Sequence, residues 1–144
     1  MRRRHNEGGN WRFIFTGQGI DIGCGNDCIS IHSFNFPLME SVRPWDMKDG
    51  DAQYMQSVED ETFDFVHSSH CLEHMVDPFI AVGNWCRILK PQGYLVVTVP
   101  DWEMYEHCKW PSRFNRDHKS SWTINHDRSF DGAHVRFLPE FLTD

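Results

Sequence analysis

No uninterrupted apolar run in the chain approaches the ~20 residues needed to span a bilayer. The basic opening, Met1-Arg2-Arg3-Arg4-His5, is not followed by the apolar stretch and small-residue cleavage site of a secretory signal. A cytoplasmic location without a membrane partner is therefore expected. The five cysteines, Cys24, Cys28, Cys71, Cys86 and Cys108, are odd in number and form no CxxC pair, which argues against a disulfide framework or a zinc ribbon and fits a reducing compartment. Internal repeats and low-complexity tracts are missing too, so the chain reads as alternating elements rather than an array. Positive charge is scarce: 14 Lys and Arg face 21 Asp and Glu, for a formal charge of -7, and bulk attraction to nucleic acid is not expected.

What is present is apolar mass. Hydrophobic residues make up 40% of the 144 and aromatics 14%, too much for a disordered chain and enough to fill one core. One domain over residues 1–144 is expected, with a core at about 17–101 and an irregular cap at about 102–144. The charge is uneven. Glu40 to Asp64 holds eight acids against Arg43 and Lys48, whereas Lys109 to Arg136 holds six basic residues against Asp117, Asp127 and Asp131. The second stretch reads either as a solvated face or as a surface that meets an anion.

Gly17 to Gly23 predicts a short strand that ends where glycines take over. Asp27 to Phe36 reads as weakly helical or irregular, Ser41 to Asp46 as a short strand that Pro44 confines to an edge or an end, and Phe63 to Ser68 as a strand with apolar alternation. The clearest helix starts at Asp77, an N-cap, with Pro78 in the first helical position. Phe79, Val82, Cys86 and Leu89, with Ile80 and Ile88 beside them, are expected to form its core face, and Pro91 and Gly93 to stop it. Tyr94 to Val99 predicts a strand covered on both faces, and strand, helix, strand in that order implies a right-handed parallel crossover. Further strand pieces are expected at 121–124 and 133–137.

In a parallel α/β sheet the ligand crevice lies beyond the carboxyl ends of the strands, where the strand order reverses. Each unusual cluster in this chain follows a strand. After the first come Gly23, Cys24 and Gly25: glycines let the backbone turn sharply and a ligand approach, and exposed N–H groups favour an acidic ligand group, but a plain structural turn has the same sequence. Asp27 stands where the dinucleotide fingerprint has its third glycine, which argues against NAD. After the second come Trp45-Asp46 and Gly50-Asp51-Ala52-Gln53. One carboxylate at a strand end can accept from two vicinal ribose hydroxyls and another from the exocyclic amine of adenine, roles that Asp46 and Asp51 fit; either also serves as a turn residue or N-cap. After the third comes Ser68-Ser69-His70-Cys71-Leu72-Glu73-His74. Read literally, His70, Glu73 and His74 spell H-x-x-E-H, the zinc motif of the inverzincin peptidases. Those sites need a long helix under the motif and a further ligand, whereas Asp77-Pro78 restarts the chain soon after His74 and Glu140 is the only glutamate after Glu106. No metal site is assigned.

The ordered segments Ile-Asp-Ile-Gly-Cys-Gly, Trp-Asp, Gly-Asp-Ala-Gln, Phe-Asp-Phe-Val-His-Ser-Ser-His-Cys-Leu-Glu-His and Arg-Ile-Leu-Lys-Pro-Gln-Gly-Tyr-Leu-Val-Val-Thr-Val-Pro-Asp resemble the class I S-adenosylmethionine-dependent methyltransferases, over about Gly19 to Asp101. The resemblance implies an α/β fold, a Rossmann-like three-layer sandwich with a mostly parallel sheet. That sheet is expected to be narrowed, because little chain separates Asp46 from Asp51 where the family usually inserts a helix and a strand. The implied cofactor is S-adenosylmethionine, with S-adenosylhomocysteine as product. Asp21, Gly23, Cys24 and Gly25 would hold its methionine end, Asp46 the ribose, and Asp51, Ala52 and Gln53 the adenine. Ser68, through its backbone, and Ser69 would line the pocket near the sulfonium. Little sequence is left for the family's final hairpin or N-terminal helices, which implies a compact or truncated member whose exposed sheet edge invites pairing with a second copy.

Methyl transfer chiefly needs alignment of the acceptor, and a base only if the acceptor carries a proton. His70, Glu73 and His74 are the nearest candidates, His70 foremost, although a histidine that merely caps the turn fits equally. The segment Trp110 to Lys119, with Tyr105, is expected over the crevice. Tyr105, Trp110, Arg113 and His118 would shape the acceptor pocket, with Arg113 able to fork onto a carboxylate or phosphate; a surface loop pinned by Trp110 and Phe114 is the alternative. The expected acceptor is a small molecule or another group that is not nucleic acid. A non-catalytic cofactor-binding protein of this fold and a zinc hydrolase using His70 and His74 are the competing readings.

Overall fold

A computed structural model of the chain describes residues 11–125 and 135–137; the opening arginines, Asp127, Asp131, Ala133 and Glu140 lie outside them. A short helix α1 (Trp11–Ile14) leads into β1 (Gly17–Ile22), a 3-10 segment (Ile29–Asn35), β2 (Met39–Trp45) and β3 (Phe63–Ser69). A single 3-10 turn (Leu72–His74), helix α2 (Pro78–Arg87), β4 (Leu89–Thr98) and the short strands β5 (Ser121–Thr123) and β6 (Val135–Phe137) follow. The four long strands form one parallel sheet in the order β2-β1-β3-β4. The chain steps from β1 to β2 in one direction and from β3 to β4 in the other, so the strand order reverses between β1 and β3. β5 and β6 pair in parallel, and an isolated bridge joins Asp101 to Trp122.

Period-two alternation divides the sheet residues between two faces. Ile20, Ile22 and Val66, with Leu95 and Val97, pack against Trp45, Met55, Val58 and Trp85 on the α2 side. Phe65, with Val42 and Val96, packs against Phe15, Ile29 and Phe36 on the other. Helix, sheet and a thinner layer of short helical pieces give the Rossmann-like sandwich, with a sheet of four strands among the described residues. β2 is an edge strand, the place Pro44 tolerates. Among the described residues β4 is the opposite edge, and the burial expected there is corrected: Tyr94 is exposed and residues 95–99 are only half-buried.

Helix α2 starts as its sequence dictates. Asp77 Oδ1 accepts from Phe79 N at 2.9 Å and Ile80 N at 3.2 Å, and Pro78 occupies the first turn. The buried face differs from the one expected. Of the expected face, Ile88 is buried and Val82 and Leu89 pack against the core, joined by buried Pro78, Ala81 and Trp85, whereas Phe79, Ile80 and Cys86 are exposed. Trp85 sets the rotation: its fully buried indole donates to the Ala52 carbonyl at 2.8 Å, which turns the inward stripe by about 100°, one residue, from the Cys86 line. Among the described residues no helix is long and apolar enough to cross a membrane.

Candidate functional site

At the reversal point, the carboxyl ends of β1, β2 and β3 surround an open pocket of about 690 Å³. Gly23 comes to its wall from the end of β1, Trp45 and Asp46 from the end of β2, Asp51 and Ala52 from the next loop, and His70 and His74 from the turn after β3. Asp46 ties this rim together: its Oδ2 accepts from Gly25 N at 2.9 Å and its Oδ1 from Met47 N at 2.7 Å. Each oxygen keeps acceptor capacity for a ligand. Asp51 is exposed, with Oδ1 accepting from Gln53 N at 2.8 Å. Gln53 itself is buried and faces α2, its Oε1 accepting from Asp77 N at 2.8 Å and its carbonyl from Asn84 Nδ2 at 3.1 Å. It fixes the loop that carries Asp51 and Ala52. Trp45 is buried, and its indole N–H has no hydrogen-bond partner.

The glycine turn divides its work. Gly23 has φ +72°, and a Cβ there would stand 2.5 Å from Cys71 Sγ, so this glycine is required by the protein's own packing. Gly25, at φ +53°, has only Asp46 Oδ2 within 4.0 Å and is open to a ligand. Cys24 is half-buried and its thiol is pushed up to about 11, first by burial and then by Cys28 and the Asp21 charge. Cys71 is pushed up to about 12, again chiefly by burial, which makes it an inert packing group rather than a nucleophile. Ser68 is buried, its Oγ donating to the Ile22 carbonyl at 3.1 Å and holding β3 to β1; Ser69 is half-buried at the strand end.

Asp21 is not on the pocket wall. Alternation turns its side chain to the face opposite Ile20 and Ile22, where it is 1% exposed. There Oδ2 accepts from Ile29 N at 2.6 Å and Oδ1 lies 2.6 Å from His67 Nδ1. It anchors the segment that follows the glycine turn, and so shapes the pocket from behind.

Beyond β3 the chain turns at His70, which has φ +56°. His70 Nδ1 is 3.4 Å from Glu73 Oε1, in ion-pair contact without hydrogen-bond geometry, and the Glu73 carboxylate holds this imidazole above its usual range against the opposing effect of burial. His74 Nδ1 lies 3.1 Å from Asp117 Oδ2. Only one 3-10 turn follows His70, so no helix carries the two histidines and the peptidase arrangement suggested by H-x-x-E-H does not form. Of the residues expected at the acceptor side, Tyr105 has its ring 5.5 Å from that of His70, and His118 its ring 4.9 Å from that of His74. His118 is buried beneath, with Nδ1 2.7 Å from Glu106 Oε1. Trp110 is half-buried and Arg113 exposed, and neither lines the pocket. Sequence reasoning passed over Trp45, Glu106 and Asp117. Trp45 adjoins Asp46 at a strand end, a usable signal, whereas nothing local marks Glu106 as a partner of His118.

A second hollow, of about 540 Å³, lies at the amino ends of the strands beside Gly17, Asp64 and Lys90. Lys90 Nζ donates there to Asp64 Oδ1 at 2.9 Å, and the hollow is on the wrong end of a parallel sheet for a ligand site.

A protein-family profile described as "Methyltransferase domain" matches residues 10–141. No curated protein matches the chain. Among solved structures, the chain is similar to a SAM-dependent methyltransferase from Archaeoglobus fulgidus, with a TM-score of 0.59 and 23% identity over 82% of this chain and 58% of that one. It is also similar to a candidate methyltransferase from Bacillus halodurans C-125, with a TM-score of 0.55 and 20% identity over 75% of this chain and 53% of that one. The chain thus spans little more than half the length of these two proteins, and at these identities the likeness is one of fold. With the family profile covering nearly the whole sequence, the chain belongs to the methyltransferase-domain family and has the Rossmann-like fold of the S-adenosylmethionine-dependent enzymes.

Proposed function

We propose that the chain transfers a methyl group from S-adenosylmethionine to a small or medium-sized acceptor that is not nucleic acid. The observation that carries this reading is the pocket at the β1/β3 reversal, with two carboxylates on its rim that retain acceptor capacity. Asp46 would take the ribose hydroxyls, Asp51 and Ala52 the adenine edge, and the open turn at Gly25 the methionine end. The partnerless indole N–H of buried Trp45 fits a polar ligand in this pocket. S-adenosylmethionine, when bound, supplies a methyl group already activated by a sulfonium. The protein's remaining task is to align the acceptor and receive its proton. His70 stands on the pocket wall, beside the Tyr105 ring, where an imidazole can receive that proton. A cytoplasmic location and pairing of two copies along the β4 edge belong to the same reading.

The test is transfer of a labelled methyl group from S-adenosylmethionine to panels of small hydroxyl, amine and carboxyl compounds. Label should appear on at least one panel, and His70→Ala should lower turnover more than cofactor affinity. Cofactor binding without any transfer would leave the non-catalytic reading instead.

A further inference from the structure

Glu73 is fully buried, at 0% exposure, and neither carboxylate oxygen has a hydrogen-bond partner. Folded proteins do not leave such a group uncompensated. Its surroundings are imidazoles. His70 Nδ1 lies 3.4 Å and His118 Nε2 3.7 Å from Glu73 Oε1. The His118–Glu73 separation is long for a hydrogen bond but close to the ~3.4 Å between two ligand atoms that each sit ~2.1 Å from one tetrahedral ion. One ligand atom each from Glu73, His74 and His118 lies within 4.8 Å of the other two.

Both histidines are also held from behind. Glu106 Oε1 is 2.7 Å from His118 Nδ1, and Asp117 Oδ2 is 3.1 Å from His74 Nδ1. A carboxylate on one ring nitrogen fixes the tautomer and presents the other nitrogen to a metal. The two segments are clamped together by backbone: Lys119 N and Ser120 N both donate to the Glu73 carbonyl, at 2.7 and 3.2 Å. The carboxylate, the two imidazoles and their supports thus come from three separate stretches that converge at one point beside the pocket.

We propose that Glu73, His74 and His118 form a site for a divalent first-row transition ion, oriented by Glu106 and Asp117. Two imidazoles and one carboxylate suit zinc, cobalt or iron, whereas magnesium and calcium favour all-oxygen shells. Three protein ligands leave at least one position open. His74 and Asp117 both line the pocket, so that position faces it. An ion there would bind and polarise an oxygen of the acceptor, which makes a hydroxyl-bearing acceptor the favoured class. This last role rests on the methyltransferase reading; metal uptake does not.

The test strips the full chain with a chelator, re-equilibrates it with Co²⁺ or Zn²⁺ and counts bound metal by mass spectrometry. One equivalent should bind, the Co²⁺ protein should show the visible bands of a low-coordinate N/O site, and metal should raise the thermal midpoint. Glu73→Gln, nearly the same shape, and His118→Ala should abolish uptake, Glu106→Gln should weaken it roughly 10–100-fold, and His32→Ala, at a half-buried histidine paired with Asp27 instead, should leave it unchanged. No stoichiometric uptake, or uptake indifferent to Glu73→Gln in a folded variant, overturns the site. Acetohydroxamate, an oxygen chelator, should shift the Co²⁺ bands; an unmoved spectrum overturns the open position and with it the acceptor role. Because none of these readouts uses S-adenosylmethionine, failure here is distinguishable from failure of the methyl-transfer reading.

Discussion

Gly23→Ala should destabilise the fold by roughly 2–5 kcal/mol, the sum of two costs. Gly23 has φ +72°, and an L-residue held in that left-handed region costs about 1–2 kcal/mol. Its new methyl would meet Cys71 Sγ at 2.5 Å and Cys71 Cβ at 2.6 Å, and overpacking of that kind costs about 1–3 kcal/mol. Cys71 has little room to yield, because it is packed into the main core and begins the turn that carries Glu73. Gly25→Ala is the internal control: it shares the left-handed φ but has only Asp46 Oδ2 near it, at 4.0 Å, so only the about 1–2 kcal/mol conformational cost applies. Urea unfolding of both variants, with m-values checked for constancy, measures the difference. Adding Cys71→Gly to Gly23→Ala should remove part of its excess cost by coupling. If Gly23→Ala is no more destabilising than Gly25→Ala, the assignment of Gly23 to internal packing rather than to a ligand fails.

Asp21→Asn removes a charge from two buried contacts and should cost about 1.5–3 kcal/mol, with affinity for S-adenosylhomocysteine nearly unchanged. Lost affinity in a folded variant would contradict its place behind the wall. Asp64 is held below its usual carboxylate value of 3.8, first by the Gln18 N–H and then by Lys90. Its contribution is present above the unfolded-state value and lost as pH falls through the lower folded one. Asp64→Asn should therefore cost about 0.5–1 kcal/mol at neutral pH, a modest effect for a half-exposed pair, and nothing in acid. Equal costs at both pH values would refute this. Under mild alkylation Cys86 and Cys108, both exposed, should react while Cys71, with its thiol at about 12, stays protected; early modification of Cys71 would count against its burial.

Asp77-Pro78 and the alternation around Ile20 and Ile22 carried enough local signal to place α2 and β1, because capping and strand period depend on neighbouring residues alone. That the sheet is mostly parallel was legible only through the resemblance and the strand-helix-strand crossover; its strand order was not. The inward face of α2 was not legible, because it depends on one tertiary hydrogen bond, from Trp85 to Ala52. Asp46, Asp51, Ala52, His70 and His74 followed strands in sequence and line one pocket in space, a consequence of parallel strands ending on one side. Asp21 shows the opposite case: a strand residue adjacent to pocket residues is directed away from them by the pleat. His118 reads as an acceptor-pocket residue, and its burial between Glu73 and Glu106 depends on partners that nothing local in the sequence marks.

Calorimetric titration with S-adenosylhomocysteine tests the pocket most directly. One molecule should bind per chain, Asp46→Ala should weaken binding roughly 10–100-fold through the lost carboxylate hydrogen bonds, and Lys90→Ala, in the hollow at the other end of the strands, should leave it unchanged. An absence of binding, or equal affinity in folded Asp46→Ala, would contradict a cofactor pocket at the carboxyl ends of β1, β2 and β3.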